Sequence, residues 1–178
     1  MMGLISKALD KAYWRRHVLS TDLAYKTEQG EAFAGSDRWE VPANSADWVQ
    51  FDIPPGVRVR VYSRIVSIGG DPFNLDLVRA DSVTPGETEF SHSCLNIVVG
   101  TLPEARLFRG ASDPVNPITI ENGFIPAARG PQSSGATQVQ GAYRVLNGST
   151  CPTLLRVENT GGTARIVNLT VVWTEDYA

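Results

Sequence analysis

The sequence predicts an all-β protein, an antiparallel β-sandwich of jelly-roll type that follows an N-terminal helical arm. Short apolar runs recur along the chain, with turn-forming residues between them roughly every 8–14 positions and no helical stretches intervening. The 16 glycines and 11 prolines fall mostly between these runs, where turns require them. Only the start of the chain has the spacing of a helix. The 178 residues suit one compact domain with a short extension.

The arm is predicted from residues 4–19. Apolar residues return there every three or four positions, as on one face of a helix, at Leu4, Ile5, Ala8, Leu9, Ala12 and Tyr13. The continuation "DLAYKTEQGE" is weaker and ends by Gly30, and "AGSDRW" is predicted to be a linker to the first strand. We therefore assign residues 1–35 to the arm and linker and residues 36–178 to the sandwich domain.

The stretch "GVRVRVYSRIVSI" is predicted to be one long strand with a change of phase. Its first half alternates between an apolar face and a polar face, formed by Val57, Val59 and Val61 and by Arg58, Arg60 and Tyr62 respectively. Further on, Val66 and Ile68 are apolar in the opposite phase. Such a phase flip indicates a β-bulge, or an edge where the strand changes sheets.

The other strands are shorter. "DPFNLDLVRA" alternates, "FSHSCLNIVVG" is predicted to be a buried strand, and "EARLFRG" is a brief one. Turns are expected at Asn122-Gly123 and at Asn147-Gly148, where "VQGAYRVLNGS" and "CPTLLRVEN" meet. The last strand, "ARIVNLTVVWTE", points its apolar residues one way and ties the C-terminus into a sheet; these residues are Val167, Leu169, Val171 and Trp173.

Composition and charge argue against several classes of protein. The net charge of −3 lacks the basic excess of a nucleic-acid-binding domain, and no apolar run is long enough to span a membrane. We expect no signal peptide, because Lys7, Asp10 and Lys11 interrupt any apolar core there, and hence synthesis in a cytoplasm. The two cysteines, Cys94 and Cys151, cannot form a zinc site. They are either free buried thiols, which we favour, or one disulfide.

No catalytic, cofactor or metal site is predicted, and the chain is expected not to be an enzyme. His92 and Cys94 in "SHSC" lie on one side of a strand, and a Cys–His pair can form a nucleophile. No third group is indicated to orient such a pair, so we favour ordinary strand patterning. The acidic residues occupy turns and strand ends, as on any surface, and "GGDPFNLD" lacks the spacing of an EF-hand loop.

The arm and the polar face of "RVRVYSR" are predicted to be docking surfaces. The arm can pack on its own sandwich, lie on a membrane surface or dock on another subunit. We favour docking, because Tyr, Trp and Arg are enriched at protein contacts and a sandwich closes its own core without a helix. The strand face, with Arg64 as a further candidate, fits a subunit contact or a plain solvated face. The predicted partner-binding residues are Leu4, Lys7, Leu9, Lys11, Tyr13, Trp14, Arg15, Arg16, Arg58, Arg60 and Tyr62.

Three stretches carry a resemblance to a known class: "SKALDKAYWRRHVL", "PANSADWVQFDIPPGVRVRVYSR" and "LLRVENTGGTARIVNLTVVW", the last two as the start of a sandwich and its closing hairpin. Together they resemble minor structural proteins of tailed bacteriophages, of the capsid decoration (cement) or head and tail appendage type. The resemblance is one of overall style without a shared motif. It implies a virion location, a dimer or trimer, other virion proteins as partners, above all the major capsid protein, and no enzymatic role.

An alternative from a different class is a carbohydrate- or cell-surface-binding β-sandwich module. Trp39, Trp48 and Tyr62 would stack on sugar rings if they lined one exposed face. The alternation in "DWVQFDIP" argues partly against this, because it places Trp48 on the side opposite to the apolar residues that follow it.

Overall fold

The computed structural model describes residues 22–69, 72–125, 134–138, 144–148 and 151–177. These residues form a short helix, α1, at residues 22–28 and fifteen strands: β1 (Ala32–Val41), β2 (Ser45–Asp52), β3 (Val57–Gly69), β4 (Phe73–Arg79), β5 (Ser82–Thr84), β6 (Thr88–Glu89), β7 (Ser91–Cys94), β8 (Arg106–Arg109), β9 (Ser112–Val115), β10 (Ile118–Glu121), β11 (Phe124–Ile125), β12 (Ser134–Gln138), β13 (Arg144–Asn147), β14 (Thr153–Asn159) and β15 (Arg165–Tyr177).

The strands form two large sheets and one small one, and every strand pair is antiparallel. Sheet 1 has the order β12-β3-β15-β1-β7, with β13 also pairing with β3. Sheet 2 has the order β10-β4-β14-β2-β8-β6, with β11 also pairing with β4. The small sheet pairs β5 with β9. The prediction of an all-β antiparallel sandwich is therefore confirmed.

The larger of two buried apolar clusters in the described residues lies between sheets 1 and 2. The predicted stripe of β15, from Val167 to Trp173, is fully buried at every second residue and faces core residues of β2, β4 and β14. The Trp173 ring lies between rings from both sheets, with centroids 6.2 Å from Phe33 of β1 and 6.0 Å from Phe51 of β2. Burial of such aromatic side chains is the main stabilisation of a core of this kind.

The predicted β-bulge lies at Tyr62. Along the β3–β15 pair, Val61 is opposite Trp173 but Ser63 is opposite Val172, which leaves Tyr62 as the extra residue. A bulge of this type reverses which side of the sheet the following residues face. Arg64 is accordingly buried, with 8% of its surface exposed. The expectation that Arg64 continues the outward face of Arg60 and Tyr62 was therefore wrong.

Three expected turns are not hairpins. Asn122-Gly123 interrupts an edge strand, since β10 before it and β11 after it both pair with β4. The segment after Asn147 leads from β13 in sheet 1 to β14 in sheet 2, and the expected closing hairpin, β14 to β15, also crosses between sheets. Turn residues mark a reversal of the chain without fixing whether the next strand joins the same sheet.

The crossing from β14 to β15 is held by a buried asparagine. The side-chain amide of Asn159 donates to the carbonyl oxygens of Val41 (3.1 Å) and Thr163 (2.8 Å), and its side-chain oxygen accepts from the Gly161 N–H (2.9 Å). These bonds satisfy backbone groups where the chain leaves one sheet for the other.

The chain enters sheet 1 directly from α1. The helix ends as predicted at Gly30, which has a positive φ of 75°, while the N–H groups of Gly30 and Glu31 bond to the carbonyls of Thr27 and Lys26. This is the Schellman arrangement, in which glycine is favoured at the left-handed position. The segment "AGSDRW", predicted as a linker, lies within β1; its small and polar residues pair with β15 along the sheet.

Candidate functional site: the arm end of the sandwich

Helix α1 is fixed to sheet 1 by ion pairs. Asp22 pairs with Arg60 of β3 (3.3 Å) and accepts a hydrogen bond from the Tyr62 hydroxyl. At the other end of the helix, Lys26 pairs with Asp176 of β15 (2.7 Å) and with Glu31. Arg60 also pairs with Asp176 (2.9 Å). Helix α1, which follows residues 1–21 in the chain, is thus held on the outward side of sheet 1 at both of its ends.

The ionisable groups that hold α1 on sheet 1 shift one another's pKa values. Burial would raise the pKa of Asp176, but the hydrogen bond and positive charge of Lys26, together with Arg60, hold it below its usual value. Burial would lower the pKa of Lys26, but its two carboxylate partners raise it. Burial, followed by the hydrogen bond to Asp22, raises the pKa of Tyr62 to about 12. All three side chains keep their ordinary charges near neutral pH.

Of the predicted partner-binding residues, the structure brings Arg60 and Tyr62 together on Asp22, and it leaves Arg58 exposed opposite Asp176. We predicted that Arg60 and Tyr62 contact another subunit or solvent. The structure shows that they contact Asp22 of their own chain. The remaining predicted residues lie outside the described part of the chain: Leu4, Lys7, Leu9, Lys11, Tyr13, Trp14, Arg15 and Arg16.

An exposed apolar loop lies beside α1. The run predicted as a buried strand, "FSHSCLNIVVG", is a strand only as far as Cys94. Residues 95–102, which we call the apolar tip, then project Ile97 (91% exposed), Val98 (90%) and Leu102 (72%). A continuous apolar run alone does not distinguish a buried strand from an exposed binding loop. The available clue was the loop-forming residues Asn96 and Gly100 within it and Pro103 directly after it.

Hydrogen bonds within the loop and to the end of α1 fix the apolar tip. The Asn96 side-chain oxygen accepts from the N–H of Val98 (3.0 Å), while its amide donates to the Glu28 carbonyl at the end of α1 (3.1 Å). The Thr101 hydroxyl donates to the carbonyl of Gly30 (2.9 Å). Val99 packs directly on Gly30, where an added Cβ would lie 2.7 Å from the Val99 Cγ1. The tip is therefore a structured part of this end of the molecule.

A buried carboxylate fixes the far side of the loop. Glu175, with no exposed surface, accepts from the N–H groups of Glu104 and Ala105 and from the Trp173 indole, each at 3.0 Å. It also accepts from the Tyr177 hydroxyl (3.2 Å). Burial, followed by the charge of Glu175, raises the pKa of Tyr177 to about 12. We call α1, the apolar tip and residues 174–177 together the arm end.

His92 and Cys94 do not form a catalytic pair. The His92 Nε2 accepts from the Leu107 N–H (3.0 Å), its Nδ1 lies 3.4 Å from Glu89, and its ring packs edge-on against Trp173 with centroids 5.8 Å apart. The Cys94 thiol instead points to the Gly30 carbonyl (3.7 Å). Both cysteines are free thiols, as we favoured, but they are half-buried and not buried as we expected. Within the described ranges, no group of His, Cys, Asp and Glu residues is placed to bind a metal ion.

The free energy of unfolding is expected to decrease as the pH falls below about 6.5, because of His92. Burial, partly offset by the Glu89 carboxylate, lowers the pKa of His92, so the unfolded chain binds a proton at a higher pH than the folded one. The contribution of neutral His92 to the free energy of unfolding is complete above pH 6.5. It is lost as the pH falls through the lowered pKa of His92 in the folded protein. Asp176 acts in the same direction but only below about pH 4. Urea unfolding at pH 7.5, 6 and 5 measures the effect.

The matched variants for this measurement are His92→Gln, which cannot titrate, and His17→Gln, which changes the other histidine of the chain. The first is expected to remove most of the slope between pH 7 and 5 and the second to leave it unchanged. An equal slope in His92→Gln and the natural protein would contradict the assignment.

The three aromatic residues of the carbohydrate alternative do not share a face. Trp39 is buried in the core, and Tyr62 is on the outward side of sheet 1. Trp48 is on the outward side of sheet 2, as its alternation indicated, where it packs beside Leu154 and the Arg156 guanidinium lies 5.9 Å from its ring centroid.

No protein-family profile and no curated protein matches this sequence. In the part of the chain that the structure describes, no helix is both long and apolar enough to cross a membrane.

Proposed function

We propose that this protein is a non-enzymatic structural protein of a bacteriophage virion, of the capsid decoration or head and tail appendage type. In this proposal its arm docks on neighbouring subunits, with the major capsid protein as the main partner, and its sandwich faces outward. The observation that carries the proposal is the arm end. There, helix α1, an exposed apolar loop and a network of ion pairs meet at one end of a β-sandwich.

We propose further that the sandwich is a jelly roll. Strand order supports this: β1-β15-β3 followed by β12 and β13 in sheet 1, and β2-β14-β4 followed by β10 and β11 in sheet 2. The connections β1–β2, β2–β3, β3–β4 and β14–β15 each cross between the sheets. Two Greek keys connected in this way define the jelly roll, a fold found in viral capsid and lectin domains. The strands β5 to β9 would be an insertion between the fourth and fifth jelly-roll positions, after β4 and before β10.

The exposed apolar tip supports a role in assembly. Monomeric proteins rarely expose contiguous apolar surface without a partner for it, and residues buried at the centre of an interface supply most of its binding energy. A site fixed before binding loses little conformational entropy on docking. Repetition of one modest contact over many copies of a symmetric shell would raise the effective affinity.

The experiment that tests this function removes residues 1–21 and keeps α1. The truncation stops there because Asp22 and Lys26 are partners of Arg60 and Asp176. A tagged copy is produced in cells that release virions, and mass spectrometry of density-purified particles measures its amount relative to the major capsid protein. We expect the full chain in the particles and the truncated chain, still folded by circular dichroism, to be lost from them. A full chain absent from particles would contradict the function, and a truncated chain present at normal amounts would contradict the role of the arm.

One observation supports the carbohydrate-binding alternative. Trp48 faces outward on sheet 2, beside the polar side chains of Arg156 and Asp76. Lectins also use jelly-roll domains. Saturable binding on a glycan array that is lost in Trp48→Ala would favour this alternative over the virion role.

A further inference from the structure

We infer that the apolar tip is the docking site for the N-terminal arm of a second copy of this chain, so that copies of the protein associate by exchanging arms. The inference rests on the proposed function, in which the arm docks on a neighbouring subunit. It states that, for the contact made at the apolar tip, this neighbour is a second copy of the same chain. It depends on three features of the molecule: the chemistry of the tip, the chemistry of the arm and the direction in which the chain enters α1.

The tip offers apolar side chains with acidic groups beside them. Ile97, Val98 and Leu102 are the exposed apolar residues. The side chains of Glu28, at the end of α1, and Glu104, two positions after Leu102, are exposed. The nearby ammonium of Lys26 is already paired with Asp176 and Glu31. The complementary partner is therefore apolar on one side and basic at its flanks.

The arm has that chemistry. Its apolar residues recur at helical spacing, and its charges are Lys7, Lys11, Arg15 and Arg16 against Asp10 alone. At about 1.5 Å per residue, residues 4–19 would form a helix about 24 Å long, long enough to cover the apolar tip and reach its acidic neighbours. Side chains such as Leu9 and Tyr13 would cover Ile97 and Val98, and the lysines would lie near the exposed glutamates.

The direction of α1 favours a second copy over the same chain. The arm joins α1 at Asp22, beside Arg60 and Tyr62, whereas the tip is attached at the opposite end, through the carbonyls of Glu28 and Gly30. The chain therefore enters α1 about 10 Å, the length of seven helical residues, from the point at which its own tip is attached. An arm of the same chain would have to fold back along α1 to cover that tip.

Disulfide cross-linking between two differently sized versions of the full chain tests the inference. In a background with Cys94→Ser and Cys151→Ser, a tagged chain carries Leu9→Cys and an untagged chain carries Val98→Cys. After mild oxidation we expect a mixed disulfide that contains one chain of each size. The matched control replaces Val98→Cys with Ile118→Cys, which is also exposed (68%) but lies on the β10 edge, and should give at least about tenfold less product.

Two results would overturn arm exchange. A third version of the protein carries Leu9→Cys and Val98→Cys in one chain. If a disulfide forms only in that version, at the mass of a monomer, the arm covers its own tip and arm exchange is wrong. The other result is no disulfide in either format, which would assign the tip to another partner. Neither result bears on whether the protein is found in virions, because the experiment uses only the purified chain. The virion experiment therefore fails or succeeds independently.

A second measurement uses the natural cysteines, so that the inference does not depend on the folding of the substituted background. In sedimentation velocity, Ile97→Asp is expected to raise the dissociation constant of self-association at least about tenfold, because it places a charge in the apolar contact. Ile118→Asp is expected to leave that constant unchanged. Self-association that is equally strong in both variants, or a natural protein that stays monomeric at all accessible concentrations, would refute arm exchange.

Discussion

Replacing Glu175 with glutamine is expected to lower the free energy of unfolding by about 3 kcal/mol. The carboxylate is fully buried and accepts four hydrogen bonds, two of them from the backbone N–H groups of Glu104 and Ala105. Glutamine has one acceptor oxygen and a donating NH₂ group, which would face one of these N–H groups donor to donor. A buried donor without a partner costs about 1–3 kcal/mol, and bonds to a charged group contribute about 1.5–3 kcal/mol each.

Urea unfolding near pH 7.5 measures the loss, and hydrogen exchange at the Ala105 amide shows whether it is local. We expect that amide to exchange faster in Glu175→Gln, because the loop after the apolar tip is no longer fixed to β15. The matched control is Glu104→Gln, whose side chain is exposed and whose backbone N–H alone takes part; it should change stability by less than about 0.5 kcal/mol. Equal stability of the two variants would show that the carboxylate does not stabilise the fold.

Glu175 also shows why sequence reasoning reached the fold more easily than the site. The alternation of β15 predicted Val167 to Trp173 correctly, because burial at every second residue follows from strand geometry alone. Glu175 has the same phase as Trp173, and the pattern therefore placed a carboxylate on the core side. Only the tertiary structure supplies its partners, since Glu104 and Ala105 lie about 70 positions away in the chain.

The bulge at Tyr62 and the end of α1 at Gly30 were predictable for a similar reason. Each depends on a local signal, a reversed apolar phase in one case and a glycine that adopts a positive φ in the other. The sheet to which each strand belongs was not predictable in this way. Asn147-Gly148 reads as a hairpin turn, yet the chain crosses there to the other sheet, because partner choice depends on long-range pairing that turn residues do not encode.

The apolar tip was missed because hydrophobicity was taken to mean burial. The rule that apolar residues lie inside holds on average, but a functional surface is where it fails. The predicted docking residues Arg60 and Tyr62 were placed on the correct face, and their contact with Asp22 required the position of α1. The sequence thus indicated the outward face of β3, and the structure adds α1 and the loop beside it.

The second large effect is expected at the ion pair between Arg64 of β3 and Glu121 of β10. Its atoms are 2.6 Å apart, and the side chain of Arg64 is 9% exposed. Glu121 is opposite the buried Leu77 in the β10–β4 pair, and directly opposite residues share a face of the sheet. The pair therefore joins sheet 1 to sheet 2 from within, which the bulge at Tyr62 makes possible by turning Arg64 inward.

We expect Glu121→Leu to cost about 3–5 kcal/mol of stability, because it leaves a buried guanidinium without its carboxylate. The double variant Arg64→Met, Glu121→Leu is expected to recover most of that loss, because it removes both the buried guanidinium and its half-buried carboxylate and replaces them with apolar groups of similar volume. Urea unfolding of the natural protein, the two single variants and the double variant completes a double-mutant cycle. Additive losses in the double variant would mean that the two side chains do not interact, and would contradict an inward-facing Arg64 paired across the core.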